Sequence, residues 1–214
     1  MIISPGTKVI NSSNPIDDYG TVGGSVMYEG SQYVITCFHC VFTNGMDWDE
    51  TEPIVKTEVK FLINGNFVEG GQIKYTWLNA NLDIALIKLY PEFTLDNNIR
   101  IIGAIKDIRI LLKENRNNVW VRKLGATTGF STGKFIGFYP QLGAELMPHN
   151  KTNHLLNLLK FESKGSKPFA KRGDSGSWII DSENNLVGIL VMLLDGIAFA
   201  ISMQSIMKKI TLNT

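Results

Sequence analysis

Apolar residues along the chain recur in short β-branched and aromatic runs separated by Gly, Asn and Asp clusters, and helical periodicity is scarce. This pattern predicts a mostly β chain, with strands at residues 24–28, 32–37, 59–63, 66–73, 84–89, 118–124, 133–139, 177–181, 186–192 and 197–201. Asn64-Gly65 supplies the positive φ angles of a tight hairpin, and Asp181-Ser182-Glu183-Asn184-Asn185 is a polar loop between apolar strands. Both predict antiparallel connections. Met203, Ile206, Met207 and Ile210 are spaced three and four apart behind Ser202, which predicts a short capped helix over 202–211. The polar stretch 90–100 interrupts the strands near the midpoint, so the boundary between two halves is expected within 90–116.

A length of 214 residues accommodates one domain or two small ones. With 44% apolar and 19% charged residues the chain buries enough surface to offset its ordering entropy, which excludes fibrous and largely disordered classes. The formal charge of +1 leaves no electrostatic footprint for nucleic acid or a membrane surface, and neither is expected as a partner. Apolar stretches such as 186–194 fall well short of the ~20 residues that cross a bilayer. Met1-Ile2-Ile3-Ser4-Pro5-Gly6 is not a basic segment leading into an apolar one, which makes a cytoplasmic location the expectation. The two cysteines, Cys37 and Cys40, are too few for a disulfide framework.

Candidate chemistry centres on Lys171-Arg172-Gly173-Asp174-Ser175-Gly176-Ser177, a small-residue loop that runs into the apolar segment Trp178-Ile179-Ile180. Such a loop exposes a hydroxyl while turning backbone N–H groups toward one point, and a nucleophilic Ser needs those donors together with a base. An α/β-hydrolase elbow is excluded, because position 177 is Ser and His39, His149 and His154 all precede Ser175. The order His, Asp, Ser stays open. His39 closes the run Tyr33-Val34-Ile35-Thr36-Cys37-Phe38-His39-Cys40, and Asp83 adjoins the apolar run Ile84-Ala85-Leu86-Ile87. A carboxylate buried beside an imidazole fixes its tautomer and stabilises the imidazolium.

Taken together, the chain resembles the chymotrypsin-fold, trypsin-like serine peptidases, and in particular bacterial members without a zymogen junction. Thr36-Cys37-Phe38-His39-Cys40 is similar to that family's T-A-A-H-C, Asp83-Ile84-Ala85-Leu86 to its D-I-A-L, and Gly173-Asp174-Ser175-Gly176-Ser177 to its G-D-S-G-G. Gly125-Ala126-Thr127-Thr128-Gly129 resembles the G-x-T-T-G that opens the second barrel of bacterial members. The resemblance implies two antiparallel six-stranded β-barrels with a short C-terminal helix, an N-terminal barrel over 1–105 carrying His39 and Asp83, and a C-terminal barrel over 106–214 carrying Ser175. It implies a serine endopeptidase with no cofactor, acting on a peptide or protein. His39 would be the general base, Asp83 its orienting carboxylate, Ser175 the nucleophile, and the N–H groups of Gly173 and Ser175 the oxyanion hole. By family position Phe169, Val191, Met192, Leu193, Ala198 and Ala200 form the substrate pocket, which contains no carboxylate and so implies an uncharged residue before the scissile bond.

Three departures qualify that reading. Ser177 replaces a Gly, Val191 stands where many members have a Ser supporting the triad carboxylate, and Cys40 has no cysteine at its family partner position near Val22. Two reduced thiols are therefore expected. The first two departures motivate the competing reading, a catalytically silent module of this fold that binds a peptide or protein. Cys37, His39 and Cys40 lack the second cysteine pair of a zinc site, so no metal is expected. Asn11-Ser12-Ser13 and Asn150-Lys151-Thr152 match the glycosylation sequon, and His149 and His154 are expected in an irregular surface stretch. In zymogens of the family a freshly cut N-terminal amine pairs with the residue equivalent to Asp174, whereas here the segment 7–22 lacks an activation junction. A buried Asp174 needs a cation, and Lys123 or Arg122, just before the G-x-T-T-G segment, is expected to supply it. The enzyme would then be constitutively assembled, or gated by an activating partner protein.

Overall fold

The computed structural model describes residues 1–13, 18–42, 57–144 and 153–212. Two sheets carry almost all of the regular structure. The first is eight-stranded and draws on residues up to Leu89 together with the C-terminal strand Thr211–Leu212 at its edge. Its centre is formed by Gly24–Tyr28, Ser31–Thr36, Leu82–Leu89 and Asn66–Asn79, each antiparallel to the next. In the second, six strands close on themselves, because Asn185–Leu194 and Ile197–Ser202 pair with each other as well as with opposite ends of the sheet. The result is a closed antiparallel barrel joined to a half-barrel sheet, with one short helix near the C-terminus. The first sheet does not close among the described residues, unlike the six-stranded barrel expected there. No helix among the described residues is long and apolar enough to cross a membrane.

Local sequence accounts for most of these strands. Asn64 and Gly65 have φ of 49° and 83°, which sets Ile63 opposite Asn66 across a two-residue turn. Along Glu58–Ile63, Val59 and Phe61 are buried while Lys60 between them is not, the period of a half-buried strand. Leu82–Leu89 is buried over its first six residues and lies between two neighbouring strands, so its centre reads as the apolar run Ile84-Ala85-Leu86-Ile87 beside the buried Asp83. Ser202 caps the helix Met203–Ile206, its hydroxyl accepting from Ser205 N–H at 3.2 Å. The helix is shorter than the pattern predicts, because Thr211–Leu212 returns as a strand against Gly24–Tyr28.

The strand Asn153–Ser163 is absent from the strands that the pattern predicts, and His154, expected at the irregular stretch, pairs in register with Gly143 within it. Its leucine-rich run has no strand alternation. Antiparallel pairing with Gly129–Ala144 along most of its length, and burial of Leu155, Leu158, Leu159 and Phe161, decide its conformation instead. His149 and the sequon at Asn150 fall outside the described residues. Asn11 of the other sequon is wholly buried and donates through Nδ2 to Val41 O at 2.8 Å, so its amide is not presented for glycosylation.

The two sheets meet across close backbone contacts. A Cβ on Gly24 would come within 2.3 Å of the Trp178 ring, and one on Gly176, whose φ is +95°, within 2.1 Å of Thr21 O. Thr21 acts as a suture across this seam. Its N–H donates to Ser175 O at 2.8 Å, its hydroxyl donates to Gly173 O at 2.8 Å, and the same oxygen accepts from Ala126 N–H at 3.1 Å. The loop bearing Ser175 is thus held from both sheets.

Candidate active site

The strand Ser31–Thr36 ends at a single 3-10 turn, Phe38–Cys40, closed by Val41 N–H donating to Phe38 O at 2.9 Å. The turn sinks Phe38 into the core and leaves the His39 side chain about 20% exposed. Asp83, near the start of the next strand, is wholly buried and meets His39 twice. Oδ1 accepts the His39 backbone N–H at 3.1 Å, and Oδ2 lies 2.5 Å from Nδ1. These two contacts fix the ring and its orientation. Burial alone would depress the imidazole pKa, but the charges of Asp83 and Cys40 and their hydrogen bonds outweigh it and hold His39 well above its ordinary 6.5.

Nε2 faces Cys40 Sγ at 3.5 Å, and that sulfur is 3.6 Å from Ser175 O. Ser175 Oγ donates to Val191 O at 3.2 Å. His39 and Ser175 therefore line one cleft, with Asp83 buried against the ring, the hydroxyl turned toward Val191 and Nε2 toward a thiol. Cys37, wholly buried behind the turn, donates its thiol to Leu190 O at 3.2 Å. Metal-type donors of Cys37, His39 and Cys40 lie within 4.8 Å of one another, and no fourth joins them among the described residues.

Asp174 organises the loop. Its Oδ1 accepts from Thr127 N–H and Thr128 N–H at 2.9 and 3.1 Å, and its Oδ2 accepts from Lys123 Nζ, the Thr128 hydroxyl and Lys171 N–H at 2.9, 2.7 and 2.9 Å. Both Asp174 and Lys123 are fully buried. Burial opposes ionisation of each. For Asp174 the Lys123 ammonium and the surrounding donors win, and its carboxyl titrates below the ordinary 3.8. For Lys123 burial wins over its partner and lowers the ammonium from 10.5. Arg122 is turned away and donates to Asp181 O, Ser182 O and Asn184 Oδ1, so it bonds the 181–185 loop and not Asp174. The alternation of Trp120–Gly125 explains this correction: Val121, Lys123 and Gly125 are buried and Arg122 is not.

Lys123→Met is expected to destabilise the fold by about 3–5 kcal/mol, because it strands a buried carboxylate without its cation. The depressed Asp174 pKa places this contribution above pH 3.8 and removes it as pH falls through the lower folded-state value. Urea unfolding at pH 7 and at progressively lower pH checks both parts: the gap between wild type and variant should be full at neutrality and shrink in acid.

The cleft beside Ser175 has a volume of about 370 Å³ and is lined by His39, Cys40, Ser175, Val191, Met192 and Leu193, with Asp18, Tyr19, Lys171 and Arg172 at its edges. Phe169, Ala198 and Ala200 do not line it. They are at most 1% exposed and pack with Val187, Leu190 and Phe161 inside the barrel. Their apolar side chains fill barrel positions, which is the physical reason the expected pocket is narrower. Gly173, at φ +92°, and Ser175 have backbone N–H groups with no acceptor among the described residues.

No protein-family model and no curated protein sequence matches the chain. Among solved structures it is similar to Nocardiopsis protease (17% identity, TM-score 0.70), Thermobifida fusca Protease A (15%, 0.69) and Cellulomonas bogoriensis chymotrypsin (15%, 0.66), with 100% of both chains covered each time. The chain has the chymotrypsin-like fold of bacterial serine proteases.

Proposed function

We propose that the protein is a serine endopeptidase that forms an acyl-enzyme on Ser175. The observation that carries this reading is the buried Asp83 carboxylate 2.5 Å from Nδ1 of His39, which lines the same cleft as Ser175. For reaction, the Ser175 hydroxyl leaves Val191 O and Nε2 leaves Cys40, so that Nε2 takes the hydroxyl proton as Oγ attacks the substrate carbonyl carbon. The N–H groups of Gly173 and Ser175 stabilise the oxyanion. The imidazolium then protonates the leaving amine, and water activated by the same nitrogen releases the acyl group. Two halves, 1–105 with most of the open sheet and 106–214 with the closed barrel, flank the cleft in this reading.

Val191, Met192 and Leu193 favour an uncharged, apolar residue before the scissile bond, and Asp18, the carboxylate at the rim, is already 3.5 Å from Arg172. Labelling the intact protein with a fluorophosphonate, mapping the adduct, and profiling cleavage of a peptide library test the proposal. An adduct on Ser175 with apolar preference is the expected result. Absence of any adduct would instead favour a silent peptide-binding module, a reading that rests on Ser175 Oγ and His39 Nε2 each being engaged elsewhere.

The raised His39 pKa sets the pH dependence. Nε2 accepts a proton only in the neutral ring, so the rising limb of kcat/KM is expected above 6.5, not at it. A pH–rate profile of peptide hydrolysis measures this directly, and a limb at or below 6.5 would show that the resting imidazole is not held in its charged form.

A further inference from the structure

Cys37 and Cys40 sit at the two ends of one tight turn, with Cys40 N–H donating to Cys37 O at 3.3 Å and the thiols within 4.8 Å of each other. The spacing is C-x-x-C, and the two residues between them are Phe38 and His39. Cys40 lines the cleft and Cys37 is wholly buried behind it. Cys40 is also pinned: a Cβ on Gly20 would lie 2.4 Å from both its Cβ and its Sγ. From that place its sulfur occupies the direction of His39 Nε2, the nitrogen that the proposed mechanism needs for Ser175.

We propose that Cys37 and Cys40 form a reversible dithiol–disulfide pair, and that closing the disulfide draws Cys40 Sγ away from His39 Nε2 and releases that nitrogen for Ser175. The regulatory half rests on the peptidase reading; the disulfide itself does not. The oxidant is a low-molecular-weight disulfide. Cys40 thiolate attacks one of its sulfurs, forming a mixed disulfide and expelling one small thiolate. Cys37 then gives up its proton and attacks Cys40 Sγ, expelling the second, so that two protein thiols and one small disulfide become one protein disulfide and two small thiols.

The two thiols differ in the sense this sequence requires. The neighbouring Cys37 thiol is the largest influence on Cys40 and, with the charge of His39, outweighs burial to bring its thiol down to about 6. Burial drives Cys37 the other way, well above 9.0. The cleft-facing sulfur is thus the attacking thiolate at neutral pH, and the buried one resolves.

The test compares the 214-residue chain reduced with dithiothreitol and oxidised with glutathione disulfide, both in the presence of a chelator. Peptide mapping reads the Cys37–Cys40 link, and fluorophosphonate labelling reads Ser175. Expected are a cross-linked peptide lacking two hydrogens and labelling about 10-fold faster or more in the oxidised form, a fraction of what a positioned general base contributes. Cys40→Ala should label at the oxidised rate under both conditions. Cys37→Ala should stop at a glutathione adduct on Cys40 and lose labelling until reduced. A stable glutathione adduct on wild type, or no link at all, overturns the pair. A link with equal or slower labelling overturns the release of Nε2. A link with no labelling in either state overturns the peptidase reading and the regulatory half together.

Discussion

Ser175→Ala is expected to abolish fluorophosphonate labelling and lower kcat for peptide hydrolysis by about 10⁶-fold, the scale at which a triad nucleophile acts as a unit with its base. The loss should appear in kcat with KM little changed, since the hydrogen bond that Oγ makes among the described residues goes to Val191 O. Folding should survive, because the loop is held by Asp174, Thr21 and the Gly176 turn. A residual rate above uncatalysed hydrolysis would be the share of the Gly173 and Ser175 N–H groups, which the substitution leaves in place. Unaltered turnover in the variant would remove Ser175 from the mechanism and return the chain to the binding-module reading.

The features legible in the sequence are those with local causes. Asn64-Gly65 demands positive φ and supplies it, Ser202 caps the helix that follows, and Ile84-Ala85-Leu86-Ile87 shows its burial as an uninterrupted apolar run. His39 and Ser175 line one cleft, and Asp83 is buried against His39, each near a point where a strand meets a turn. Even the choice between Lys123 and Arg122 was contained in the alternation of Trp120–Gly125, which turns every second side chain inward.

Features that depend on pairing across the chain were not legible. Asn153–Ser163 becomes a strand because Gly129–Ala144 offers it a partner, not through any period of its own. Thr21 carries no motif, yet it holds the loop bearing Ser175 through residues more than a hundred positions away. Phe169, Ala198 and Ala200 are placed in the barrel interior by packing against Phe161 and Leu190, which no one-dimensional pattern specifies. The most consequential case is Cys40. The sequence shows a thiol beside a histidine, but only the turn geometry aims that sulfur at Nε2.

Asp83→Asn isolates the part of the mechanism that the Asp83–His39 contact supports. The change is nearly isosteric, and the amide oxygen still accepts the His39 backbone N–H that Oδ1 now takes at 3.1 Å, so the 3-10 turn keeps its anchor. The amide nitrogen then faces Nδ1 and donates to it. Nδ1 becomes the acceptor, the ring proton moves to Nε2, and Nε2 no longer takes the proton of Ser175. A loss in kcat of about 10⁴-fold is expected, the size that the wrong tautomer costs a serine triad. A second readout separates this from simple damage. Burial lowers the His39 pKa and Asp83 is foremost among the groups that raise it, so removing that charge moves the imidazole titration downward, and the rising limb of the residual kcat/KM moves with it. Imidazole proton shifts followed by NMR across pH should show the same displacement in the free enzyme. A variant with wild-type kcat and an unmoved limb would show that Asp83 only anchors the turn and that His39 works, if at all, without it.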